Sequence, residues 1–165
     1  MMLETPSRPL SRRIQAKVMG VVNIPMRRIL GLPFPTPLGN RLMLVYLTGR
    51  RTGRQYRQPV SYVREGATLL TPGGGKWKLN LHEGQPVRIR LRGRDVHARP
   101  EIVWEPSAIE PLLEKMIATN PMVNRFVAIP RNADGRFDAE RLALAVKYGF
   151  AIVRWHLDEP SPTNT

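Results

Sequence analysis

The sequence predicts an α+β protein, mainly β, folded as a small barrel or sandwich of about six mostly antiparallel strands. Three observations carry this. Short apolar runs of strand length recur between residues 41 and 104, separated by Gly-containing turn signals. The run "VRIRLR" alternates strictly, with Val87, Ile89 and Leu91 on one face and Arg88, Arg90 and Arg92 on the other, the signature of a half-buried strand. Helical periodicity is confined to the start of the chain and to the segment after Trp104.

Residues 1–13 are polar and Pro-containing. Residues 14–30 place Ile14, Val18, Val21, Val22 and Ile29 near helical spacing, with Arg12, Arg13, Lys17, Arg27 and Arg28 between them. Pro25 is expected to kink or end this basic amphipathic helix. "GLPFPTPLGN" then reads as an extended, Pro-rich linker. The strands expected next are "LMLVYL", "PVSYV", "ATLLT", "VRIRLR", "VHARPEIVW" and, at the end, "FAIVRWHL". "GRD" (93–95) is the expected turn after the alternating strand, and Pro100 pushes the following one towards an edge or a bulge. Two helices precede the last strand. Ser107 and Glu110 read as a capping box opening the first; Asp138 reads as the N-cap of the second, with Gly149 as its stop. This divides the chain into an N-terminal helix and linker (1–37), a barrel domain (38–158) and a tail (159–165).

With 165 residues the chain fits one domain, at roughly 150 residues per domain. There is no cysteine, which excludes disulfides and thiolate chemistry. No apolar run approaches the roughly 18 residues or more of a membrane span, and the start lacks the apolar core of a secretory signal. A cytoplasmic protein is the resulting expectation. The net charge of +13, from 26 Lys and Arg against 13 Asp and Glu, attracts polyanions: nucleic acid, anionic lipid or a phosphate-bearing small molecule.

Catalytic templates fail. There is no G-x-S-x-G elbow and no P-loop, and His82, His97 and His156 are far apart with no ligand spacing around them, so no metal site is expected. Asp95 and His97 lie two apart on one strand and read as a surface pair. Arg88, Arg90 and Arg92 read as the solvated face of a strand. The aromatic interleaving of single-strand nucleic-acid binders is not evident, which argues against a nucleic-acid partner. The basic stretch over residues 8–30 either packs its apolar stripe on the barrel or lies on an anionic membrane surface, at the inner face of the membrane.

Two stretches concentrate the remaining signal. "LTGRRTGRQYRQPV" (47–60) sets Arg50, Arg51, Arg54, Arg57 and Gln58 around a glycine turn with no acid among them. "TPGGGKWKLNL" (71–81) sets three glycines before Trp77, flanked by Lys76 and Lys78. The glycines admit either a close ligand or a flexible turn, and Trp77 either a ring ligand's platform or a core residue.

Together these stretches resemble the deazaflavin-dependent nitroreductase and quinone reductase family, whose pattern is a strand, G-[RK]-[RK]-[ST]-G, a second strand with a proline, an E-G or D-G turn, a third strand, a Gly-containing loop and W-x-x-N-L. Here it reads Gly49, Arg50, Arg51, Thr52, Gly53; Pro59; Glu65, Gly66; Gly73 to Gly75; Trp77, Asn80, Leu81, and the similarity extends over roughly residues 38–104. The resemblance implies a split β-barrel of the flavin-binding type. It also implies the deazaflavin coenzyme F-420, with FMN as the alternative, and hydride transfer from the reduced coenzyme to a quinone-like or nitroaromatic, electron-poor acceptor. A split barrel that binds FMN, deazaflavin or a lipid without that turnover is the second expectation, and a basic nucleic-acid or membrane-surface binder the third. By the resemblance, Arg50, Arg51 and Thr52 hold the phosphate and acidic tail, and the Gly loop (Gly73, Gly74, Gly75) with Trp77 falls at the deazaflavin end. Gly53, Arg54, Tyr56, Gln58, Pro59, Thr71, Pro72, Lys76 and Asn80 are the further residues expected to bind the cofactor. A homodimer is a further expectation from the family. The sequence departs from the pattern at Tyr56, where a basic residue is usual, at Lys78, where an aromatic is usual, and over residues 120–149.

Overall fold

The computed structural model describes residues 27–73, 75–127 and 129–158. The expectations for residues 1–26, Pro25 included, and for the tail 159–165 lie outside the described residues. Residues 27–30 are helical. The linker that follows is not extended throughout: Pro37–Asn40 form a 3-10 turn, with Pro37 in its first positions and the Thr36 hydroxyl accepting from the Gly39 N–H at 3.3 Å. A proline loses nothing at the start of a helical turn, and threonine is a good cap.

Seven strands form one antiparallel sheet: β1 (Leu42–Thr48), β2 (Gln55–Ser61), β3 (Val63–Glu65), β4 (Thr68–Gly73), β5 (Val87–Leu91), β6 (Arg94–Val103) and β7 (Ala151–Leu157). Their order is β2-β1-β5-β6-β7-β4-β3. The two edge strands, β2 and β3, are consecutive in the chain with only Tyr62 between them. One stretch therefore serves both edges, and the sheet curls into a half-barrel of the split-barrel, α+β kind.

The count of seven corrects the expected six. "PVSYV" is not one strand, because the chain bends at Tyr62 and pins itself there. The Tyr62 N–H donates to Arg41 O (3.2 Å), its hydroxyl donates to Gly39 O (2.7 Å), and its carbonyl accepts from Asn120 Nδ2 (3.0 Å). Two other strands run further than expected. β2 begins at Gln55, where Gln55 pairs with Thr48, and β4 continues through Pro72 and Gly73, which face Ile152 and Ala151. The hairpin between β5 and β6 turns at Arg92 (φ +50°) and Gly93 (φ +80°), not at 93–95. This is the two-residue turn with both central residues left-handed that suits a twisted ribbon.

The apolar runs follow from burial on both faces. Met43, Val45, Leu47, Leu69, Val153 and Trp155 fill the barrel interior. Their neighbours Leu70 and Ile152 point the other way, under the helices, and Leu42 and Leu44 pack against Leu30 and Leu38. A strand covered on both faces loses its alternation. Three strand prolines obey one rule, that a missing N–H is tolerated where a neighbour strand is absent. Pro59 lies on edge strand β2. Pro72 lies beyond the reach of β3, which pairs with β4 only up to Leu70. Pro100 lies beyond the last β5 pair, Val87 with Ala98.

Two α-helices follow the helical turn at 27–30: α1 (Pro106–Thr119) and α2 (Ala139–Lys147). α1 buries Ile109, Leu113 and Met116, a stripe at i, i+4, i+7. The expected capping box at Ser107 is corrected: Glu105 is the cap without a side-chain bond, and Pro106 at the first position places Ser107 inside the helix. Asp138 does cap α2, its carboxylate accepting from Arg141 N–H at 2.9 Å. Gly149 (φ +102°) ends it, with Gly149 N–H on Val146 O and Phe150 N–H on Ala145 O, the paired bonds of a glycine stop. No described helix is long and apolar enough to cross a membrane.

Candidate functional site

The hairpin between β1 and β2 is closed by its own backbone. Gly49 N–H donates to Arg54 O and Gly53 N–H to Gly49 O, both at 2.8 Å, and Gly53 takes φ +68°. The Thr52 hydroxyl accepts from Arg54 N–H at 3.3 Å. Across from it runs a 3-10 turn, Lys76–Asn80, entered from β4. Asn80 joins the two. Its Oδ1 accepts from Arg50 N–H (2.9 Å), and its Nδ2 donates to the Tyr56 hydroxyl (2.6 Å) and to Trp77 O (3.3 Å). The bracket uses the amide's acceptor and donor ends together.

Between hairpin and turn lies an open groove of about 560 Å³. Of the residues expected to hold a ligand, it is lined by Arg50, Arg51, Thr52, Tyr56, Gln58, Gly75, Lys76, Trp77 and Asn80. Gly49 and Leu79 line it as well. Among the described residues no carboxylate lines it, and Arg50, Arg51 and Lys76 make it basic. A smaller hollow of about 380 Å³ flanks the Arg50–Asn80 contact on its other side, beside Tyr46 and Arg88. There the Arg88 guanidinium lies 4.2 Å from the centre of the Tyr46 ring.

The other expected residues are placed elsewhere. Gly53 and Arg54 form the exposed back of the hairpin, away from the groove lining. Pro59 is buried opposite Leu44. Thr71, Pro72 and Gly73 belong to β4, and the Thr71 hydroxyl is fully buried, accepting from Trp155 Nε1 at 3.1 Å. Gly74 lies outside the described residues. Trp77 is a core residue, only 9% exposed, stacked on Trp155 with centroids 6.4 Å apart and planes 11° apart. It lines the groove with the small part that remains exposed.

The glycines on either side of residue 74 serve internal packing. A Cβ on Gly75 would sit 2.8 Å from Trp77 Cδ1, and one on Gly73 3.1 Å from Lys78 Cδ and 3.2 Å from Ala151 O. Lys78 itself is buried: its Nζ donates to Gly75 O at 2.9 Å and lies 5.9 Å from the Trp104 ring centre. Burial pushes its amine below the ordinary lysine value of 10.5. Leu79 was missed because "KWKLN" carries no strand or α-helical pattern. At three residues per turn, Lys76 and Leu79 share a face.

Asp95 pairs with Arg88 (Nε 2.9 Å) and Arg90 (2.7 Å) across the β5–β6 hairpin, in place of the expected pairing with His97. Among the described residues, no three His, Asp or Glu side chains gather as metal ligands.

No family model matches the chain, and no curated protein matches it. Solved structures similar to it include a domain-swapped dimer (13% identity, TM-score 0.49, covering 83% of this chain and 98% of that one). An F-420 reductase is similar at 13% identity and a TM-score of 0.44, over 79% of this chain and 90% of that one. So is a pyridoxamine 5'-phosphate oxidase-like protein from Listeria innocua, at 9% identity and a TM-score of 0.45, over 72% and 85%.

Proposed function

We propose that the groove between the Arg50–Thr52 hairpin and the Lys76–Asn80 turn holds the deazaflavin coenzyme F-420. On this reading the protein is an oxidoreductase that passes the reduced coenzyme's hydride to a quinone-like or nitroaromatic acceptor. One observation carries the reading: a groove in which Arg50, Arg51 and Lys76 gather, with no carboxylate among the described lining residues, and in which a single amide, Asn80, fixes the two walls.

The residues present fit an anionic, elongated ligand. Arginine forks match phosphate and carboxylate oxygens in bidentate fashion. The hollow across the Arg50–Asn80 contact adds Arg88, a further cation within reach of an acidic tail. The coenzyme supplies the hydride chemistry when bound; the chain binds, orients and excludes water, so few acid–base residues are needed. Among the nearby hydroxyls, Tyr56 lines the groove, and its oxygen is already bonded by Asn80, leaving its proton for a ligand. Tyr62 and Ser61 are buried elsewhere.

The test is a fluorescence titration of the protein with the deazaflavin coenzyme and with FMN, at two salt concentrations, beside the Arg50→Ala/Arg51→Ala double variant. The expected result is saturable binding of the deazaflavin that weakens with salt and falls at least tenfold in the variant. Two charge-assisted contacts are worth roughly 3 kcal/mol or more together. Tight, arginine-independent FMN binding would move the protein to an FMN-binding barrel, and no binding of either would remove the coenzyme reading.

A further inference from the structure

The barrel has a second opening at the end opposite the groove, where the hairpin tips β3–β4 and β5–β6 meet the last residues of β7. It is a cavity of about 550 Å³, well within the range of small-molecule sites. Its floor is Leu91, Val96 and Leu157, half-buried residues that pack against the barrel interior, so the core reaches the surface here. Its rim carries Arg64, Arg92 and Arg94. Among the described residues the one acid at the rim is Asp158, which is engaged by Arg99 at 3.2 Å. Arg64 also holds its own hairpin, donating from Nε to Gly66 O at 3.3 Å. Arg92 sits at φ +50°, where asparagine or glycine would be at ease, so its side chain is kept at the mouth against a backbone preference. A smaller hollow of about 330 Å³ continues from the cavity, sharing Arg64, Leu91 and Arg92 with it.

Apolar floor and cationic rim make two demands on one occupant. An inorganic anion would leave the floor uncovered, and a neutral hydrocarbon would make no use of the exposed cations Arg64, Arg92 and Arg94 at the rim. We infer that this mouth binds a single-headed amphiphilic carboxylate, its chain on Leu91, Val96 and Leu157 and its head between Arg64 and Arg92. The site is separate from the groove and does not depend on what the groove holds.

The experiment is an amide chemical-shift titration of the full chain with dodecanoate, kept below micelle formation, beside dodecanol and inorganic phosphate. The same titrations are run on an Arg64→Gln/Arg92→Asn variant, in which asparagine suits the turn at position 92. Dodecanoate should saturate with shifts centred on Gly66, Ala67, Gly93 and Leu157, and its affinity should fall at least tenfold in the variant while that of dodecanol does not change. The proposal is overturned if dodecanoate leaves those amides unmoved or shifts Arg50, Gly53 and Asn80 in their place. It is equally overturned if the variant binds dodecanoate as tightly as the parent, or if phosphate alone reproduces the shifts.

Discussion

Lys78 is the side chain that departs furthest from its surroundings. It stands where the resembled family places an aromatic, and it is buried to 4% exposure with a single carbonyl as hydrogen-bond acceptor among the described residues. Burial disfavours its charged form, so its folded pKa lies below the unfolded value of 10.5. The unfolded chain then binds more protons, and stability rises with pH from the folded pKa up to 10.5. Urea unfolding across the alkaline range should show this rise in the parent protein, and Lys78→Met should abolish it. Tyr62, whose burial raises its own pKa above 10.0, acts in the opposite sense at the top of that range. It is present in both proteins and cancels in the difference. Identical slopes would mean that the amine reaches water.

Among the turns, Gly93 and Gly135 offer a matched comparison. Both take positive φ, +80° and +82°. A Cβ on Gly135 meets nothing within 4 Å, whereas one on Gly93 would lie 2.6 to 2.8 Å from three backbone atoms of Phe34. Gly135→Ala should therefore cost about 1 kcal/mol, the strain of a left-handed alanine. Gly93→Ala should cost distinctly more, about 3 kcal/mol, because backbone must move. The difference in urea midpoint checks this, and equal losses would contradict the close approach. The same elements show what the sequence could and could not tell. The alternation of Val87, Ile89 and Leu91 revealed β5, and Asp138 with Gly149 bounded α2, because both signals are local. The break at Tyr62 depends on Asn120 and Arg41, far away in the chain, and left no local trace. The expected strand "ATLLT" stops before Pro72 and Gly73, yet both pair with β7, since β3 has ended and Pro72 needs no partner on that side. The basic hairpin and the W-x-x-N-L stretch were visible as motifs. That Asn80 braces the two rather than standing free, and that Trp77 leans on Trp155, required the fold.

Across the whole molecule, interior and groove are mechanically linked through the two tryptophans. Trp155 is fully buried, bonded to Thr71 and stacked under Trp77, which forms a wall of the groove. Trp155→Ala should cost roughly 3 to 5 kcal/mol, a large part of a typical stability of about 5 to 15 kcal/mol. Trp155→Phe keeps most of the packing and loses the bond to Thr71. It should unfold at lower urea by about 1 to 3 kcal/mol and also weaken binding in the groove, although residue 155 does not line it. Unchanged affinity in a destabilised Trp155→Phe would show that the groove does not rest on the core.

The strand order has a consequence for how the chain is made. β7 lies between β6 and β4, and it is synthesised last. Until it leaves the ribosome, the β3–β4 hairpin has no partner on its inner side and β6 has none beyond β5. Two unpaired edges then stand open together, β4 with Leu69 and Leu70 and β6 with its charges Arg94, Asp95, Arg99 and Glu101, and an open edge can pair with another chain. Closure of the sheet therefore waits for β7, the last of the described strands to be made, and its insertion between β6 and β4 is the folding step most open to mispairing.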